Sequence, residues 1–162
     1  MRLNHLDLTV PDVAQSRTFF ETYFGLRCIV SVSRDDQEVA VLTDESGFAL
    51  TLNNFDKRRP IEYPGGFHVG FMQDSRERVD EIHARLRADG FDVGSPREFH
   101  GAWTFFFRAP GGFDIEVLHQ YRRGDDDRGR KDRLVSAPPP SEPCRRISRT
   151  RLSSQWSYLK ED

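Results

Sequence analysis

Apolar and polar residues alternate in "LNHLDLTV", with Leu6, Leu8 and Val10 on one side and Leu3, His5, Asp7 and Thr9 on the other. That period of two is the pattern of a half-buried strand. Pro11 and Asp12 then open a helix through "DVAQSRTFFETYF", which Gly25 closes in the C′ role. "LRCIVSVS" and "EVAVLTD" read as strands around the turn "RDDQ", and "GFALTLNN" reads as a fourth strand. In that strand Phe48, Leu50 and Leu52 face the helix, while Ala49, Thr51 and Asn53 face away.

The order then returns. "FHVGFM" sets Phe67, Val69 and Phe71 against His68 and Gly70. "SRERVDEIHARLRADG" carries Val79, Ile82 and Leu86 at helical spacing and ends in Gly90. "FDVGS", "WTFFFRAP" and "GGFDIEVLHQ" supply three strands, the last with Phe113, Ile115 and Val117 inward and Asp114, Glu116 and Leu118 opposite. The chain is an internal repeat of βαβββ, with His5 aligned on His68, Gly25 on Gly90 and "GFALTL" on "GFDIEV". The expected fold class is α+β. One module spans residues 1–56, a linker 57–66, the second module 67–121 and a tail 122–162. Neither module is expected to be stable alone, since each buries its helix against a single sheet.

Composition separates the tail from the rest. Residues 1–121 carry a net charge of −6 and residues 122–162 a net of +4, within a chain of 162 residues and overall charge −2. The tail holds Leu134, Val135, Ile147, Leu152 and Leu159 as its only aliphatic residues of that size, beside "APPPSEP". It cannot bury enough apolar surface to offset its ordering entropy, and is expected to be disordered. Its basic runs are interrupted by acidic residues and lack an aromatic ladder, which argues against nucleic-acid binding. No stretch approaches the roughly 18 apolar residues of a membrane span, and no signal peptide is expected in "MRLNHLDLTVPD", which lacks a continuous apolar stretch. Cys28 and Cys144 are too few for a disulfide scaffold, so a cytoplasmic setting is expected.

Strand alternation puts His5, His68 and Glu116 on the polar-lined faces. Two histidines and a carboxylate make a three-ligand metal site with open positions, suited to one divalent ion: Fe, Mn, Ni, Co or Zn. Asp7 and Asn53 face the same cleft and would orient ligands or substrate. Phe106 is the expected pocket wall, Tyr63 a packing residue, His83 a structural residue, and His119 an exposed one.

"NHLDLTVPDVAQSRTFFETYFGL", "FHVGFMQDSRERVDEIHARLRADGF" and "FFFRAPGGFDIEVL" resemble the vicinal oxygen chelate superfamily. That group includes glyoxalase I, extradiol dioxygenases, fosfomycin resistance proteins, methylmalonyl-CoA epimerase and bleomycin resistance proteins. The resemblance implies paired βαβββ modules forming an open, U-shaped mixed sheet around a metal. It implies ligands at His5, His68 and Glu116, a small-molecule substrate that chelates the ion through neighbouring oxygens, and a homodimer. Glyoxalase I adds a fourth ligand at the place of Thr51. Extradiol dioxygenases use a tyrosine and a histidine where this chain has Phe106 and a position near Asn53, leaving His100 as the candidate base. Fosfomycin transferases carry a threonine at the place of Asp7. The expected activity is a metal-dependent dioxygenase-, isomerase- or lyase-type reaction. The alternative is a metal-free, bleomycin-resistance-like binding protein.

Overall fold

In a computed structural model, residues 3–55 and 60–121 can be described. The tail expectation, for residues 122–162, lies outside them. The elements run β1 (His5–Thr9), α1 (Val13–Phe24), β2 (Arg27–Arg34), β3 (Gln37–Thr43) and β4 (Ala49–Asn53). They continue β5 (His68–Met72), α2 (Arg76–Ala88), β6 (Arg97–Phe99), β7 (Ala102–Arg108) and β8 (Asp114–Gln120). The chain divides between Pro60 and Ile61 into two compact units, each with the order βαβββ.

Each unit holds one mixed four-stranded sheet, ordered β1-β4-β3-β2 in the first and β5-β8-β7-β6 in the second. The first strand of each unit lies parallel to its last, and the remaining pairs are antiparallel. The registers coincide: His5 pairs with Ala49 and Asp7 with Thr51, as His68 pairs with Asp114 and Gly70 with Glu116.

The helices begin and end where local chemistry dictates. Asp12 caps α1 by accepting the Gln15 N–H at 2.7 Å, and Ser75 caps α2 by accepting that of Arg78 at 3.2 Å. Gly25 ends α1 at φ +67°, a left-handed conformation that a side chain resists. In α1, Val13, Ser16, Phe19 and Phe20 form the buried face, above Leu8, Leu42, Leu50 and Leu52 of the sheet. In α2 the buried stripe is Val79, Ile82 and Leu86, in a core with Phe105, Phe107, Ile115 and Val117. This burial leaves the other face of each sheet to its polar residues.

Two expectations need correction. "FDVGS" does not form a strand: Val93 makes a single bridge to Phe107, and β6 begins only at Arg97. Gly94 explains part of this, because its N–H bonds the Phe106 carbonyl at 3.1 Å and a Cβ there would sit 3.2 Å from that oxygen. Pro96, which lacks an N–H, then breaks any continuing ladder. His119 is half-buried rather than exposed, its Nδ1 3.0 Å from the Gln73 carbonyl.

Candidate metal centre

Within the second unit, β8 runs between β5 and β7, so Glu116 has Gly70 on one side and Phe106 on the other. His68 stands one alternation away from Gly70 on the same face. Its Nε2 lies 3.6 Å from Glu116 Oε2, with the histidine side chain 44% and the glutamate 17% exposed. That separation is too long for a good hydrogen bond. It is close to the roughly 3.0–3.4 Å between two donors that share one ion at about 2.1 Å.

The remaining polar atoms of the pair are engaged from behind. His68 Nδ1 is 2.9 Å from the Gly66 carbonyl, which can only accept, so Nδ1 is the donor there and Nε2 is the ring atom turned toward Glu116 Oε2. Glu116 Oε1 accepts from the Thr104 hydroxyl at 2.9 Å, and the same hydroxyl lies 3.0 Å from the Val117 carbonyl. Oε2 is thereby left on the His68 side. Gly70 keeps the neighbouring position low: an added Cβ would come 3.9 Å from Oε2 and 3.6 Å from Leu118. The Phe106 ring meets His68 edge-on with centroids 5.7 Å apart, forming an apolar wall beside the donors.

Within the first unit, His5 occupies the equivalent place, and its Nδ1 is 2.7 Å from Asn4 Oδ1. Asp7 lies two residues on, paired in register with Thr51. Asn53, only 6% exposed, donates its side-chain N–H to Asp7 Oδ1, while its own Oδ1 lies 3.4 Å from both the Thr9 hydroxyl and the Phe55 N–H. The backbone N–H can only donate, which fixes the orientation of the amide.

Among the described residues, no three His, Cys, Asp or Glu side chains gather closely enough to hold a metal ion. His68 and Glu116 meet within one unit, and His5, Asp7 and Asn53 share one face of the other. His100 is placed apart. It sits exposed at the tip of the β6–β7 hairpin at φ +49°, its ring centroid 4.0 Å from that of Phe99. Ala102, next to that turn, pairs with Gln120, four residues along β8 from Glu116. Tyr63 stacks on Phe67 and meets Phe113 edge-on, in keeping with a packing role. Arg108 pairs with Asp114 at 2.9 Å.

Thr104 and Gly66 were not anticipated. Thr104 interrupts the aromatic run "WTFFF" and, by alternation from Phe106, belongs on the Glu116 face, so a legible signal existed. A backbone carbonyl such as that of Gly66 leaves no such mark.

Comparison with known proteins follows the same lines. A family model described as Glyoxalase/Bleomycin resistance protein/Dioxygenase superfamily matches residues 2–117. A solved structure of a possible glyoxalase from Bacillus cereus is 50% identical, covers 73% of this chain and 98% of its own, and superposes with a TM-score of 0.63. Fosfomycin resistance protein FosX from Listeria monocytogenes, solved with Mn(II) and sulfate, is 19% identical. It covers 74% of this chain and 93% of its own, with a TM-score of 0.61. TnmS3, an antibiotic binding protein from Streptomyces, is 18% identical, covering 75% and 97% with a TM-score of 0.59. At these last two identities the likeness is one of fold.

Proposed function

Since the chain belongs to the Glyoxalase/Bleomycin resistance protein/Dioxygenase superfamily, we propose that it is a divalent-metal-dependent enzyme acting on a small, oxygen-chelating substrate. His5, His68 and Glu116 are the proposed ligands. The observation that carries this reading is the approach of His68 Nε2 to Glu116 Oε2, each donor backed by a hydrogen bond on its other polar atom. Outer hydrogen bonds of this kind orient metal ligands and raise their affinity. The position of His5 in the internal repeat, and its own engaged Nδ1, support it as the third ligand. The Mn(II) bound by FosX is a property of that protein, and here it only suggests which ion to try first.

A bound divalent ion would act as a Lewis acid on a substrate oxygen, favouring an oxyanionic or enolate-like state. The side chains do the rest. Phe106 walls the donors on one side, and Gly70 leaves room beside Glu116 for a planar, oxygen-bearing group. Asp7, oriented by Asn53, stands on the same face as His5 as a group that positions ligand or substrate. His100, exposed at the hairpin tip and set apart from the donors, is dispensable for metal binding. The working assembly in this reading is a homodimer.

Elemental mass spectrometry of the purified protein, with His5→Ala and Glu116→Gln variants, is the direct test. About one ion per chain is expected in the wild type and a loss in both variants, while His100→Ala keeps its metal. A wild-type protein that takes up no Fe(II), Mn(II), Ni(II), Co(II) or Zn(II) on reconstitution would overturn the reading and leave a metal-free binding protein.

A further inference from the structure

We propose that Asp7 is a metal ligand, binding the same ion as His5. The inference rests on the metal-site reading above and extends it to a residue outside the three-ligand set.

The argument comes from comparing the two units position by position. In the second, His68 and its carboxylate stand on neighbouring strands, and Glu116 is paired in register with Gly70, two residues beyond the histidine. In the first, the place of Glu116 is taken by Thr51 and the place of Gly70 by Asp7. Each unit thus presents one histidine and, two residues further along the same face, one carboxylate. Only the strand that carries the acid differs.

Side-chain length agrees with that exchange. A residue diagonally across a parallel pair and two positions on lies roughly 8 Å from the histidine Cα, from a strand spacing of about 4.8 Å and a rise of about 3.3 Å per residue. The second residue along the same strand lies only about 6.6 Å away. The longer diagonal carries the longer acid, Glu116, and the shorter step carries Asp7.

The supporting contacts are matched as well. Both histidines engage Nδ1 with an oxygen just N-terminal to them, at 2.7 Å for His5 and 2.9 Å for His68. Both carboxylates have one oxygen held by a buried polar side chain of an adjacent strand, Thr104 for Glu116 and Asn53 for Asp7. A carboxylate at an exposed position needs no buried amide to remain soluble. One fixed by such an amide has its second oxygen oriented, which is what a ligand requires.

Mn(II) affinity of the full-length protein, measured from the loss of the free-ion signal in electron paramagnetic resonance, tests the proposal. The comparison is between wild type, Asp7→Asn, Asp7→Glu and Glu116→Gln. Asp7→Asn is expected to weaken binding by at least roughly tenfold, since losing a charged donor should cost no less than losing an outer hydrogen bond. Asp7→Glu keeps the charge and should fall between wild type and Asp7→Asn. Equal affinities of wild type and Asp7→Asn, with Glu116→Gln weakened, would overturn the role of Asp7 and leave the three-ligand reading standing. Equal affinities of Asp7→Glu and Asp7→Asn would also overturn it, pointing to damage to the strand rather than a lost donor. A wild type that binds no Mn(II) would sink both.

Discussion

At the scale of single residues, the proposed centre depends on groups that never touch substrate. Thr104 is fully buried and donates its hydroxyl to Glu116 Oε1, with the Val117 carbonyl 3.0 Å away as the alternative acceptor. Thr104→Val keeps the shape and removes the donor. Metal affinity should fall about 10- to 100-fold, with a stability loss of about 1 kcal/mol in urea unfolding. His83 is a second case. Burial against Phe105, then the charge of Arg87, hold its pKa below the ordinary value, against opposing contributions from Asp80 and a hydrogen bond with the Gly94 backbone. The folded state keeps the ring neutral, whereas the unfolded chain takes up a proton near pH 6.5. The unfolded state therefore binds more protons, so this contribution is complete above about pH 6.5 and is lost as the pH falls through that value toward the folded pKa. Urea unfolding at pH 7.5 and 5.5 should show a drop in the wild type that shrinks in His83→Gln.

At the scale of elements, the hairpin joining β6 and β7 shows what sequence patterns convey and what they miss. Residues Phe99 and Ala102 pair, leaving His100 and Gly101 at φ +49° and +79°, the two left-handed positions of a type I′ turn. His100→Asn creates the preferred Asn-Gly turn and should leave the melting temperature unchanged or raised. Gly101→Ala should cost roughly 1–2 kcal/mol, because a Cβ resists that conformation. The strands and helices that alternate or recur cleanly, such as "LNHLDLTV" and the Val79–Ile82–Leu86 stripe, were legible because burial on one face imposes a period. "FDVGS" forms no strand because its backbone is held by one glycine's close approach to Phe106, a tertiary constraint that leaves no periodic trace in the sequence. The candidate ligands were legible through the repeat. Their supports were legible only in part, since Asn53 and Thr104 are side chains but the Gly66 carbonyl is backbone.

At the scale of the whole molecule, two units of the same order and register share one family membership. Among the described residues, no helix is long and apolar enough to cross a membrane. A ligand that binds only the folded chain must stabilise it, by about 2.7 kcal/mol at a concentration of 100 Kd. Mn(II) should therefore raise the melting temperature by several degrees, an increment absent in Glu116→Gln. The sheet order gives the two histidines a distinct mechanical setting, for His5 and His68 lie on β1 and β5, each at the end of its sheet, while Glu116 lies on the interior strand β8. End strands open at lower free energy than interior ones, so their amides exchange with solvent deuterium sooner. An ion tying His68 to Glu116 would rivet β5 to its neighbour, and the slowing of exchange should fall mainly on β5 rather than on the already protected β8.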